Sequence, residues 1–406
     1  MSLEPESGQR KLLLITFYYP PDLCAGSFRS AALVRELLQV IPPGTTIDVV
    51  TTQPNRYGSF KQQAVDCESD DKVTVHRIAL PGHKSGMVDQ SISFATFYRK
   101  AFALVAGKRY DLVFATSSRL LTAFLGVRLA ARHGTPVYLD IRDIFVDTIK
   151  DVLGPKASFF MHPVLSLLER YTFRSCDRIN LVSRGFHPYF RARYPEVPYD
   201  FFTNGIDEEF LGAFPEEGQK KPSQGRIKVL YAGNIGEGQG LHNILPSLAA
   251  SCADRFDFTV VGDGGRRGEL ESRVARLGLH NVTLLPPVDR DALVRLYRDA
   301  DVLFLHLNDY EAFKKVLPSK IFEYAATGKP ILAGVSGYAE QFIKEEVENA
   351  EIFEPCHERA GSEALHRLRL EFTPRLAFVQ RYRRSSIMQE MSQQLVSLAR
   401  GERGHR

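Results

Sequence analysis

Lys320, Glu323 and Thr327 are spaced i, i+3 and i+7 within residues 318–330, PSKIFEYAATGKP. On a helix this spacing puts the three on one face, with Ile321, Phe322 and Ala325 supplying apolar surface elsewhere. The ends of such a helix are marked. Pro318 suits the first turn, where a missing N–H costs nothing, Gly328 suits a left-handed cap, and Pro330 cannot continue. A cation and a carboxylate are thereby predicted side by side at a helix N-terminus, a place suited to phosphate. A solvated i,i+3 ion pair is the competing reading.

Other stretches carry weaker chemical signals. Residues 262–268, GDGGRRG, follow an apolar run and nearly match a dinucleotide fingerprint. No acidic residue follows the next run, which ends near Leu285, so Gly262, Asp263 and Gly264 fit a phosphate- or base-side loop equally well, or a plain tight turn. Arg142 and Asp143 end another apolar run, where α/β folds keep their chemistry, with a structural ion pair as the alternative. Two D-x-D triplets, at 289–291 and 299–301, have a spacing that can hold a divalent metal. Each also sits where a helix would begin or end, and we read both as structural. The histidines show no ligand spacing and the five cysteines no C-x-x-C, so no protein-bound metal or other cofactor is predicted and the thiols are expected reduced.

These groups need elements to hold them. The run 11–17, a small-residue loop 24–27 containing Gly26, a helix 30–40 and the run 47–52 form a strand–loop–helix–strand unit of a doubly wound sheet. Further strands are predicted at 73–78, 111–115, 136–143, 178–183 and 201–205, the last running into Asn204 and Gly205. Helices are predicted at 91–106, 120–133 and 159–176. The polar segment 216–225 reads as an interdomain linker. A second α/β pattern follows. It has a strand from 228 into the glycine-rich loop 233–240, with Gly233 and Asn234 first, and then alternating helices and strands up to residue 335. Residues 374–398 read as one helix. The expected organisation is α/β: two doubly wound, Rossmann-like domains facing across a cleft. We place an acceptor-side domain at 1–207, a linker at 208–226, a nucleotide-sugar-binding domain at 227–373 and a helical tail at 374–406.

A chain of 406 residues favours two domains. A net charge of +4 is too mild to imply nucleic acid. Arg99, Lys100, Lys108 and Arg109, near Phe94, Phe97, Tyr98 and Phe102, raise contact with an anionic membrane surface, against a solvated charged face. No apolar run approaches the ~18 residues of a spanning helix, and residues 1–7 are unlike a signal peptide. A cytoplasmic protein, peripheral at the inner membrane face, is expected.

Taken together, Tyr18-Tyr19-Pro20-Pro21, Tyr231-Ala232-Gly233-Asn234, Val261-Gly262-Asp263-Gly264 and the 318–330 stretch resemble family-4 glycosyltransferases, retaining and metal-independent enzymes of GT-B fold. The likeness covers nearly the whole chain and is closest to the bacterial O-antigen and capsule branch. The resemblance implies sugar transfer from a nucleotide diphosphate, UDP by preference, to a lipid-linked or polysaccharide precursor. It implies Glu323 on the ribose and Lys320 on the diphosphate, with Ser319, Gly233, Asn234, Gly262, Asp263 and Gly264 around the donor. Gly26 and Asp143 would lie near the reacting sugar, and Arg142 and Asn204 would be further cleft residues. Lys315 stands where the family has a first glutamate, and Asn234 and Gln239 where it commonly has an Arg and a Lys. A UDP-sugar 2-epimerase of the same architecture and a non-catalytic nucleotide-sugar-binding subunit remain alternatives.

Overall fold

Short apolar runs, four to seven residues long and buried on both faces, are what parallel strands require. In the computed structural model such runs form most strands of two sheets, parallel but for one edge pairing. The structure describes residues 10–55, 64–81, 87–117, 120–144, 155–212 and 225–402. By its internal contacts the chain divides into two units, 1–203 with 385–406, and 204–384.

The first unit has strands β1 (Lys11–Ile15), β2 (Thr46–Thr52), β3 (Cys67–Ser69), β4 (Val73–Ile78), β5 (Leu112–Thr116), β6 (Val137–Ile141), β7 (Arg178–Leu181) and β8 (Tyr199–Asp200). Their order is β3-β4-β2-β1-β5-β6-β7-β8, parallel except for β3 on β4. The helices are α1 (Ala25–Val40), α2 (Met87–Val105), α3 (Leu120–His133), α4 (Pro155–Arg174) and α5 (His187–Arg193). One core joins Leu12, Leu14, Ile47 and Phe114 of the sheet to Leu33 and Leu37 of α1. It also takes in Met388, Met391 and Leu395 from the end of the chain.

The second unit has β9 (Ile227–Ala232), β10 (Phe256–Val261), β11 (Val282–Leu285), β12 (Val302–His306), β13 (Ile331–Gly334) and β14 (Ala350–Phe353), ordered β11-β10-β9-β12-β13-β14 and all parallel. This is the dinucleotide-fold order, and it reverses between β9 and β12, where such sheets bind ligands. Its helices are α6 (Leu241–Ser251), α7 (Arg267–Arg276), α8 (Arg290–Asp299), α9 (Lys320–Ala326), α10 (Tyr338–Glu346), α11 (Glu358–Arg367) and α12 (Leu376–Arg381); α13 (Arg384–Ala399) is the last helix of the described residues.

Several expectations change. The small-residue segment 24–27 is mostly helix. Cys24, with φ −151° and ψ 157°, is the extended N-cap, and Gly26 lies in the first turn of α1. Residues 201–205 are not a strand; β8 stops at Asp200. The predicted C-terminal helix is two, broken at Tyr382 and Arg383, and 385–406 belong to the first unit instead of forming a separate tail. Of the predicted linker, Glu208–Phe210 is a 3-10 turn with Phe210 buried; 213–224 lie outside the described residues. Asp289 does cap α8, accepting the Ala292 N–H at 2.8 Å, and Asp301 accepts the Lys228 N–H at 2.9 Å.

Candidate functional site

In the second unit the ends of β9 and β10 continue as a backbone zipper. Gly233 N–H bonds Val261 C=O, Ile235 N–H bonds Asp263 C=O, and Arg266 N–H bonds Ile235 C=O. The strands approach too closely for side chains. A Cβ on Gly262 (φ 149°) would sit 1.8 Å from the Gly233 oxygen, and one on Gly264 (φ 156°) 2.6 Å from the Ile235 oxygen. These positions admit only glycine, which explains the motif without a fingerprint role. Asp263 turns back to accept the Gly264 N–H at 2.7 Å. Asn234 donates to Gln239 at 2.6 Å, and the Asn234 carbonyl accepts Tyr231 Oη–H at 2.6 Å.

Lys320, first residue of α9, brings its ammonium to this loop. A Cβ on Gly233 would lie 2.0 Å from Lys320 Nζ, and the same Nζ stands 5.2 Å from the Tyr231 ring centroid. The missing side chain at Gly233 is thus the space the cation occupies, at the point where the strand order reverses. Ser319 precedes α9 in a helical conformation and makes no side-chain cap. Gly328 (φ 72°) ends the helix as expected.

Glu323 lies one turn further on. Tyr297 Oη donates to its Oε2 at 3.2 Å, and Arg290 Nη1 is 3.8 Å from its Oε1. Burial pushes this carboxyl above its usual range, against the opposing fields of Arg290 and Lys320. The expected side-by-side arrangement is therefore modified: Lys320 faces the glycine loop, and Arg290 is a close cation of Glu323. Thr327, on the expected polar face, is buried and donates to the Tyr324 carbonyl at 2.7 Å. Lys315 ends a 3-10 turn in the loop before α9 and is half-buried.

The same loop is tied to the glycine-rich segment. Glu237 is half-buried, yet Tyr310 Oη and Arg266 Nε, both at 2.5 Å, hold its carboxyl below the usual range. His306, at the end of β12, is fully buried. Its Nδ1 lies 2.7 Å from the Gln239 carbonyl and its Nε2 accepts the Cys356 N–H at 3.0 Å, which fixes a neutral ring with the proton on Nδ1. Burial pushes its pKa down to about 4.

In the first unit, Arg142 Nη1 donates to the Ala25 carbonyl at 3.2 Å, and a Cβ on Gly26 would lie 3.4 Å from that nitrogen. Burial, and then the charge of Arg29, lower the Arg142 pKa. Arg29 grips Asp140 through two bonds of 2.9 Å, and Asn180 donates to the same carboxylate at 2.7 Å. Near this strand end Arg29 is therefore ion-paired with Asp140, and Arg142 reaches the start of α1. Asp143 is exposed just beyond it. Asn204 is buried where the second unit begins.

Sequence reasoning missed Arg29, Asp140, Asn180, Arg290, Tyr297, Asp207, Arg384 and His306. Asp140 and Asn180 were visible as polar residues inside otherwise apolar strands. Arg290 was hidden inside a D-x-D triplet. Among the described residues no three His, Cys, Asp or Glu side chains form a group that could hold a metal.

Residues 32–205 match the glycosyl transferase 4-like domain model and residues 214–380 the glycosyl transferases group 1 model. Together they span both units, and the chain belongs to the glycosyltransferases of GT-B architecture. A candidate colanic acid biosynthesis glycosyl transferase of Escherichia coli K12, WcaI, is 34% identical over 256 residues, 59% of this chain and 61% of the relative, so the match leaves more than a third of that protein unspanned. Among solved structures, sucrose-phosphate synthase from Thermosynechococcus elongatus superposes with TM-score 0.68 at 16% identity, covering 97% of both chains. A trehalose 6-phosphate synthase from Burkholderia multivorans gives 0.68 at 14% identity, covering 98% of this chain and 99% of its own. These two likenesses concern the fold.

Proposed function

We propose that the second unit binds a nucleoside diphosphate sugar, UDP-linked by preference, and that the enzyme transfers the sugar with retention to a lipid-linked or polysaccharide precursor of a bacterial surface glycan. The observation that carries this reading is the Lys320 ammonium seated over Gly233, where the sheet order reverses, with Glu323 one turn along the same helix. Lys320 and the loop amides meet the diphosphate; Glu323 accepts from the ribose hydroxyls. As the bond between the anomeric carbon and the phosphate oxygen breaks, its electron pair goes to the diphosphate, and Lys320 stabilises the growing charge. The acceptor hydroxyl bonds to the anomeric carbon on the same face and gives its proton to the departing phosphate. Gly26 and Asp143 are proposed near the reacting sugar, with Arg142 as a further residue of the site. The surface-glycan assignment draws on the likeness to the colanic acid protein. No resident metal is invoked.

The membrane partner needs a different surface from the one expected. Phe94 and Phe97 are core residues, and Lys108 is paired with Asp48 at 3.0 Å. On α4, Val164, Leu167 and Tyr171 are exposed at i, i+3 and i+7 beside exposed Arg170 and Arg174. The one acid of that helix, Glu169, is buried under the hydroxyls of Tyr189 and Tyr194. This apolar and basic face is the one we assign to anionic lipid.

A panel of nucleotide sugars tests the donor. A ligand at ~100 times its dissociation constant adds about 2.7 kcal/mol of stability, read as a melting shift. Product analysis with donor alone then separates transfer from the two alternatives. An epimerase converts the donor without acceptor, and a binding subunit leaves it unchanged in all mixtures.

A further inference from the structure

We propose that Arg290 is a positioning residue for the donor: it holds Glu323 as an acceptor for the ribose hydroxyls and is itself anchored by Asp207 and Arg384, at the two points where the chain passes between its units. The proposal rests on the donor-site reading above.

The anchor is built from chain crossings. Ile206 N–H bonds Tyr382 C=O at 2.8 Å and Arg384 N–H bonds Ile206 C=O at 2.9 Å. A Cβ on Gly205 would lie 2.7 Å from the Arg384 Cα, so the two segments touch backbone to backbone. The buried Asp207 carboxylate stands between two arginines. Arg384 Nε is 2.5 Å from Oδ1, and Arg290 Nη2 donates to Oδ2 at 2.5 Å. Burial opposes ionisation of Asp207, yet the two guanidinium groups hold it below its usual range. The Arg290 guanidinium also lies 5.2 Å from the Phe210 ring, Phe210 stacks on Tyr297 at 5.6 Å, and Tyr297 donates to Glu323. One arrangement therefore holds Glu323 from both oxygens. At 3.8 Å Arg290 acts on Oε1 through its field, leaving that oxygen room to accept from a ligand.

The charged and titratable groups facing Glu323 are Arg290, Lys320, Arg384, Asp207, Tyr297 and Tyr324. Without Arg290, burial and Asp207 favour the protonated Glu323 against only Lys320 and Arg384. A protonated carboxyl carries a donor where the diol needs acceptors.

Calorimetric titration of the full chain with UDP, GDP and ADP between pH 5 and 9 tests this, with the matching 2′,3′-dideoxynucleotides as controls. For the nucleotide that wild type binds, Arg290→Met is expected to move the acid-side loss of affinity to higher pH. The affinity ratio between pH 8 and pH 6 should grow about tenfold, the worth of one charged hydrogen bond. Arg290→Lys should restore most of the wild-type profile, and the dideoxynucleotide should bind wild type and Arg290→Met alike. An unchanged profile in Arg290→Met, or an equal loss for the dideoxynucleotide, overturns the proposal. If Arg290→Met does not fold, Arg290→Gln carries the same comparison. Wild type binding none of the three, or Glu323→Gln binding as wild type does, overturns the donor-site reading itself.

Discussion

At the scale of single residues, the roles proposed for Lys320 and Glu323 differ in what changes during reaction. In that proposal the charge on the diphosphate facing Lys320 grows toward the transition state, whereas the ribose facing Glu323 changes little. Lys320→Ala should lower kcat, whereas Glu323→Gln should raise the donor KM, each by about 10- to 150-fold. Near-normal turnover in Lys320→Ala would defeat the assignment. The two changes also differ in stability. The folded pKa of Glu323 is raised, so the folded state binds its proton more tightly than the unfolded chain does. Stability from this group is therefore lost as pH rises from the unfolded value through the folded one, and an ionised Glu323 costs stability at neutral pH. Glu323→Gln should melt higher than wild type at pH 7 while binding donor worse. His306 runs the other way. Its ring titrates near 4 when folded, and near 6.5 when unfolded. Its stabilisation is complete above the unfolded value and is lost as pH falls from 6.5 toward 4, amounting to about 3 kcal/mol. Melting curves across that window should slope downward toward acid, and His306→Gln should flatten them.

Elements act here through what they exclude. The β9 and β10 ends zip together because Gly233, Gly262 and Gly264 carry no side chains, and the space over Gly233 takes the Lys320 ammonium. Gly262→Ala must accommodate both a clash with the Gly233 oxygen and a φ of 149°, for a cost of about 2–6 kcal/mol. Gly265→Ala, with nothing within 4 Å, should change stability by less than ~0.5 kcal/mol. Chemical denaturation of the two variants measures the contrast. Helix α4 exposes Val164, Leu167 and Tyr171 beside Arg170 and Arg174. Substituting Leu167 and Tyr171 by serine should reduce co-sedimentation with anionic vesicles, and neutralising Arg170 and Arg174 should remove most of its salt sensitivity, at about 1 kcal/mol per charge. Unchanged binding in both sets would return the face to ordinary solvent exposure.

On the scale of the whole molecule, the end of the chain belongs to its beginning. Met388, Met391 and Leu395 of α13 share one core with Leu12, Leu14 and the α1 leucines. Deleting 385–406 opens that core at several fully buried positions, each costing about 2–5 kcal/mol, which exceeds or matches the whole stability of a domain. The truncated chain should show hydrogen exchange lost throughout β1, β2 and β5 while β9, β10 and β12 stay protected. Turnover of the intact enzyme should persist in excess EDTA. Loss that magnesium or manganese restores would bring the D-x-D triplets back as ligands.

The strand runs, the two-unit α/β organisation and the glycine loop were legible because they are local. A buried parallel strand needs a continuous apolar run, and a loop that touches another backbone needs glycine, whatever lies elsewhere in the chain. Lys320 and Glu323 could be placed on one short helix for the same reason. Which cation answers Glu323 could not be read, since Arg290 lies 33 residues away and enters through α8. The same holds for Arg29 with Asp140, and for the return of α13 to the first unit. Pairings of this kind are set by which helices the sheet order brings together. A residue's spacing along its own helix says which way it points, and only the packed sheet determines what it meets there.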